Sequence, residues 1–206
     1  MRKLSLLCKL KLKCSTWNNH KKAYKHKTKY YMTIEEVKAS IRNIADFPIP
    51  GIQFKDLTTA FRAPESLRWM YNEMVAHYKD MGITKIVGIE SRGFILAPGV
   101  AVGIGAGFVP IRKPGKLPAD TISVSYAKEY GTDTIEIHRD ALCADDVVVI
   151  HDDLLATGGT MAAAIELVRK AGVKKIYISF LVELDGLKGR EVFPKDVEVY
   201  SLIHFD

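Results

Sequence analysis

The sequence predicts an α/β fold: a doubly wound, mainly parallel sheet flanked by helices, with one antiparallel hairpin added. Apolar, Val- and Ile-rich runs of strand length at 85–89, 108–111, 146–150 and 175–184 lack polar alternation, as strands buried on both faces do. Helical stretches at 94–104 and 158–171 lie between them, which is the alternation of a βαβ sheet. Segments 121–126 and 132–138 do alternate, across Tyr130-Gly131, and read as a hairpin excursion.

Each element has a local cause. Thr33 is an N-cap with Glu36 three residues later, opening an amphipathic helix that the pattern carries to about Ile44. Phe47-Pro48-Ile49-Pro50-Gly51 stops it in a stiff, extended turn. Pro64 suits the first position of a second helix, in which Leu67, Met70, Tyr71, Met74 and Tyr78 recur every three or four residues until Gly82. Gly172 closes the helix at 158–171.

At 206 residues and 48% apolar content the chain can bury one core, and disordered or fibrous classes are excluded. Three cysteines do not make a disulfide framework. No apolar run approaches the ~18–20 residues of a membrane-spanning helix. The net charge of +6 invites nucleic acid as a partner, but the charge is unevenly placed. Residues 1–31 carry ten Lys/Arg and no acid, leaving 20 basic and 24 acidic residues in 32–206, a net of −4. The division expected is therefore a basic leader, 1–31, and one globular domain, 32–206. Lys9, Lys11 and Lys13 break any secretory apolar region. A mitochondrial presequence and a nucleic-acid arm stay open; a solvated, disordered extension with Met32 as the natural start is the favoured reading.

The chemistry concentrates in Val147-Val148-Val149-Ile150-His151-Asp152-Asp153-Leu154-Leu155-Ala156-Thr157-Gly158-Gly159-Thr160. A buried strand delivers two adjacent carboxylates, then a small-residue loop, then a helix. Ligands in open α/β sheets bind just outside the carboxyl ends of strands, where this loop must lie. Ala156 to Thr160 offer backbone N–H groups, two hydroxyls and a helix N-terminus, a phosphate cradle. Asp152 and Asp153 would repel that phosphate, so they face something else: the cis hydroxyls of a ribose, or a hydrated cation. The site reads as one for a sugar phosphate. Neither a Walker A loop nor a dinucleotide fingerprint is present.

This segment resembles the 5-phosphoribosyl-1-pyrophosphate (PRPP) motif of the type I phosphoribosyltransferases. Further stretches resemble the adenine-using branch of that family: Glu90-Ser91-Arg92-Gly93-Phe94 is similar to its diphosphate loop, and Arg112-Lys113-Pro114-Gly115-Lys116-Leu117-Pro118 to its next loop. Tyr126 with Glu129-Tyr130-Gly131 and Glu136 is similar to its hood, residues 46–56 to its base-recognition segment, and 182–191 to its C-terminal piece. The likeness covers about 33–204. It implies a homodimeric, cytoplasmic purine-salvage enzyme that moves the phosphoribosyl group of PRPP to adenine with Mg²⁺, releasing AMP and pyrophosphate.

The resemblance also implies roles. Glu129 would handle a proton of adenine, and Arg92 and Lys113 would take up charge on the diphosphate, helped by Ser91, Arg112, Lys116 and Tyr130. Gln53, Phe54, Lys55 and Leu184 would hold the base, with Phe54 and Leu184 sandwiching the ring. Asp152 and Asp153 would meet the ribose diol and the waters of Mg²⁺, with no direct protein ligand to the metal. Lys55 stands where the family often has Arg, and His151 where it has Val or Ile; a hydrogen-bonded structural role is expected for His151. Two alternatives stay open. One is a phosphoribosyltransferase for xanthine, hypoxanthine or orotate; the other is a PRPP-sensing regulator that binds nucleic acid through its leader.

Overall fold

The computed structural model describes residues 32–127 and 131–206, so the expectations for leader 1–31 and for Glu129 and Tyr130 lie outside the described residues. Thr33 caps helix α1 (Ile34–Ser40) as expected: its hydroxyl accepts the Glu36 N–H, and the Glu36 carboxylate accepts the Thr33 N–H at 2.8 Å. The helix stops short of Ile44, because Arg42–Ala45 forms strand β1 and pairs antiparallel with β2 (Gln53–Asp56). Ile41 and Ile44 fit a helical period, but a partner strand distant in sequence offers the backbone a full ladder instead. The connecting turn is held by Asp46, at φ 55, whose carboxylate accepts the Gly51 N–H at 2.7 Å.

Asp56 ends β2 by accepting both the N–H and the hydroxyl of Thr58, and so starts a short helix, α2 (Thr58–Arg62), that the hydrophobic pattern does not announce. Pro64 takes the first turn of α3 (Pro64–Tyr78), with Met70, Met74 and Tyr78 buried on one stripe. Then follow β3 (Lys85–Ile89), α4 (Ala97–Ile104), β4 (Gly107–Ile111), the hairpin strands β5 (Thr121–Ala127) and β6 (Thr132–His138), β7 (Val147–Leu155), α5 (Gly159–Lys170), β8 (Lys175–Leu184) and β9 (Glu198–Phe205).

The five-stranded sheet has the order β4-β3-β7-β8-β9, parallel throughout. The four strands expected are present. β9 is an addition, an edge strand whose Glu198, Tyr200, Ser201 and His204 interrupt the apolar pattern. β7 is longer than the apolar run at 146–150, because its pairing with β8 continues through Asp152↔Phe180 and Leu154↔Val182. The two acids therefore belong to the strand itself.

Alternation along the strands separates two packed faces. Val148, Ile150, Ile178 and Phe180 meet Met161, Ile165 and Val168 of α5 and Val124, Ile135 and Ile137 of the hairpin. On the opposite face His151 Nδ1 lies 3.1 Å from Ser179 Oγ, which lies 3.5 Å from Met74 Sδ on α3. The hairpin is stitched to the end of β4, where Arg112 and Glu136 exchange both backbone hydrogen bonds at 2.9 Å.

Two glycines let the loop after β7 settle. A Cβ on Gly158, at φ 83, would meet the Gly189 carbonyl oxygen at 2.5 Å, and one on Gly189 would meet the Ala156 carbonyl oxygen at 2.2 Å. Segment 185–192 is thus pressed against the loop backbone. Gly189→Ala is expected to cost about 2–3 kcal/mol, the scale of an overpacked core. Gly186→Ala, where a Cβ meets nothing within 4 Å, is the control. Thermal unfolding checks this, and equal midpoints for both variants would contradict the close approach.

His151 is fully buried, and burial lowers its pKa from 6.5 to about 4 against the smaller upward pull of Ser179. The native state therefore holds the ring neutral where an unfolded chain would protonate it. That stability is complete above about pH 6.5, and about 3 kcal/mol of it is lost as the pH falls to about 4. In denaturant unfolding between these pH values, His151→Val should flatten the acid limb by this amount. An unchanged slope would contradict a neutral buried imidazole.

Candidate active site

β7 carries two carboxylates into the end of the sheet. Asp153 is 2% exposed, and Arg92 Nη1 approaches its Oδ2 at 3.2 Å. Asp152 Oδ1 accepts the Asp153 N–H at 2.9 Å. Burial pushes both carboxyls above their ordinary range; the neighbouring Asp153 charge adds to the effect on Asp152, while Arg92 opposes it on both. The two groups titrate as a pair, and one additional positive or proton-donating partner would be well received there. Asp153 Oδ2 takes no aligned hydrogen bond and meets Arg92 through the ion pair.

Arg92 reaches this position from the 3₁₀ turn Arg92–Phe94 directly after β3. The turn lies so close to β7 that a Cβ on Gly93 would stand 2.6 Å from the His151 carbonyl oxygen. Ser91 precedes the turn, joined to Glu90 by a cis peptide bond. Beyond the acids, Gly158 adopts the left-handed conformation and α5 begins at Gly159. The free N–H groups of its first turn and the positive end of its dipole face the same opening. Arg92, Asp152, Asp153 and Ala156, Thr157, Gly158, Gly159 and Thr160 line one cleft of about 220 Å³, together with Phe180. The residues expected to hold a sugar phosphate are thus brought together.

The expected cations are also gathered, each against an acid. Glu90 accepts Arg112 Nε at 3.0 Å, the Lys113 N–H at 2.9 Å and Lys116 Nζ at 2.5 Å. Burial works against that charge, but the donors from Arg112, Lys116 and Lys113 overcome it and lower the Glu90 pKa to about 2. Lys113 Nζ itself pairs with Asp133 on β6. Glu136 accepts the Gly115 N–H at 3.0 Å and so holds the turn between these cations. Tyr126 donates to Asp133 Oδ2 at 3.3 Å, and its hydroxyl lies 3.1 Å from Thr160 Oγ1 in the first turn of α5.

The expected base-binding residues lie outside the lining of that cleft. Gln53, Phe54 and Lys55 sit on β2, where Phe54 packs edge-on against Phe47 at 5.1 Å between ring centroids. Lys55 Nζ lies 4.5 Å from the centre of the Phe205 ring, and Phe205 is the register partner of Leu184. This brings the β1–β2 ribbon to the end of β8, with Phe205 between Lys55 and Leu184. His151 has the hydrogen-bonded, buried setting expected of it, away from the cleft face.

The sequence reading placed Glu90, Tyr126 and Gly189 only within longer stretches, without a role of their own, and did not single out Asp133 or Phe205. Glu90 carried a signal: in a parallel sheet with β3 beside β4, the first acid after one strand faces the basic loop after the other. A second cluster missed in sequence joins Glu183, 4% exposed, to Arg190 through two hydrogen bonds at 2.7 and 2.6 Å, bracing 185–192 against the end of β8.

Residues 63–205 match the phosphoribosyl transferase domain family. The chain is 58% identical over 172 residues to an adenine phosphoribosyltransferase of Phocaeicola vulgatus, covering 84% of this chain and 99% of that one. It is 60% identical to an adenine phosphoribosyltransferase of Bacteroides thetaiotaomicron over 84% and 98% of the two chains. Among solved structures, the adenine phosphoribosyltransferase of Giardia lamblia complexed with 9-deazaadenine superposes with a TM-score of 0.81 at 49% identity, over 85% of this chain and 99% of that one. Sheet order, hairpin and acid-to-loop cleft agree with this likeness, and the chain belongs to the adenine phosphoribosyltransferase branch of the phosphoribosyl transferase family.

Proposed function

We propose that this chain transfers the 5-phosphoribosyl group of PRPP to adenine, giving AMP and pyrophosphate in purine salvage. The observation that carries the reading is the single cleft in which a desolvated acid pair, an arginine and a glycine-rich helix N-terminus converge. The close relatives supply the base.

Transfer proceeds through a state with positive charge developing on the ribose ring and negative charge on the departing diphosphate. The protein's task is to position both and to stabilise the leaving charge. The N–H groups and hydroxyls of Thr157 to Thr160 hold the 5′-phosphate, and Asp152 and Asp153 accept the ribose hydroxyls. Arg92, Lys113, Arg112 and Lys116, with Ser91 and Tyr130, take the diphosphate. Gln53, Phe54, Lys55 and Leu184 hold adenine, while Glu129 manages its proton. The donor set suits Mg²⁺, since buried carboxylate oxygens in need of positive charge are the ligands a hard cation prefers, through its waters. When bound with PRPP, the ion neutralises part of the diphosphate charge.

We place the catalytic domain at 32–206, with 1–31 outside it, and read the assembly as a cytoplasmic homodimer. Ile95 and Val102, large apolar groups left exposed beside and on α4, support a covered face between copies. Arg112, a candidate to reach such a partner, is paired here to Glu90 of its own chain. Among the described residues no helix is long and apolar enough to cross a membrane. Neither membrane nor nucleic acid is part of this reading.

A base panel with PRPP and Mg²⁺, followed by pyrophosphate release, tests it. Adenine should support turnover at least about 100-fold above hypoxanthine, xanthine or orotate, as hydrogen-bond readout of a purine edge requires. Turnover with hypoxanthine but not adenine would overturn the assignment.

A further inference from the structure

We propose that Asp133 is a stand-in anion: with no substrate present it occupies Lys113 in place of the diphosphate, and it thereby sets how tightly the diphosphate is held. The inference rests on the reading of Lys113 as a diphosphate-binding cation. Three features make Asp133 more than a chance surface partner. Its Oδ1 accepts the Thr134 N–H at 2.9 Å and its Oδ2 accepts the Tyr126 hydroxyl, so the carboxylate is fixed before Lys113 arrives. The pair is partly withdrawn from solvent, with side-chain exposures of 35% for Lys113 and 19% for Asp133, so screening is incomplete. Finally, the same Tyr126 hydroxyl reaches Thr160, which ties the stand-in anion to the cradle of the 5′-phosphate.

Glu90 does not play this part. It binds the Lys113 N–H as well as two side chains, so it shapes the loop and cannot yield without undoing it. Asp133 stands on a paired strand opposite Tyr126, its backbone held by the ladder whatever its side chain does. A diphosphate arriving at Lys113 must replace one anion by another, and it meets the charge of Asp133 as it does so. Binding is weaker than Lys113 alone would allow, and pyrophosphate leaves more readily.

Calorimetric titration of magnesium pyrophosphate into the full chain tests this with Asp133→Asn, Lys113→Ala and the double variant. Asparagine keeps one acceptor, for the Thr134 N–H, turns an amide N–H toward the Tyr126 hydroxyl, which can accept it, and removes the charge. Asp133→Asn should tighten pyrophosphate by about fivefold, the upper scale of a solvent-accessible ion pair, and lower KM for PRPP in step. Lys113→Ala should weaken binding, and Asp133→Asn added to it should then change nothing. A merely structural aspartate would not tighten a ligand when removed. If Lys113→Ala weakens pyrophosphate while Asp133→Asn leaves it unchanged or weaker, the stand-in role is wrong and Lys113 keeps its own. Tightening by Asp133→Asn that persists without Lys113 would also overturn it. If Lys113→Ala has no effect, the reading of Lys113 fails and the stand-in with it.

Discussion

Two adjacent aspartates are carried at the end of a central parallel strand, Asp153 buried and Asp152 half-buried at the wall of the cleft. Everything near them answers that constraint. β7 is flanked by β3 and β8, so Asp153 is shut off from water, and an arginine comes to it. It comes from the turn after β3, and the approach is close enough that only glycine fits at 93. On the other side the chain must leave β7 at once for a helix. Gly158 makes that exit, and Gly189 presses against it from the segment after β8. The cleft is the space these close approaches leave.

The same electrostatic rule extends outward. The described body of the chain is acidic, yet the end of the sheet that holds the cleft is rich in cations, and each of these is held by a carboxylate: Arg92 by Asp153, Arg112 and Lys116 by Glu90, Lys113 by Asp133. Such pairing keeps like charges from repelling one another in the absence of ligand. It also fixes side chains that would otherwise lose rotamer freedom on binding, so part of the ordering cost is met by folding. The net charge of +6 is no guide to the substrate, because the basic excess resides in 1–31.

Legibility in the sequence followed the range of the interactions. The central strands could be read because burial on both faces leaves an unbroken apolar run, and the acids and cradle because they are contiguous in one strand–loop–helix unit. The helix expected to Ile44 failed because Arg42–Ala45 is decided by a partner at Gln53–Asp56, which local periodicity cannot see. β9 escaped for a related reason, since Glu198, Tyr200, Ser201 and His204 interrupt its apolar run and the strand is fixed by pairing with β8. The partners of Glu90, Asp133 and Tyr126 could not be read for a third reason. Their meaning lies in which loops and strands become neighbours, and sheet order supplies that.

The burial of the aspartate pair is open to direct observation. Carboxyl ¹³C resonances of Asp152 and Asp153 can be followed from pH 4 to pH 8 in the ligand-free chain, with Asp→Asn variants for assignment. At least one carboxyl should still be protonated well above the ordinary aspartate value of about 4, and Arg92→Gln should move it higher. Two carboxyls that both ionise at or below about 4, indifferent to Arg92, would contradict a desolvated pair held by that arginine.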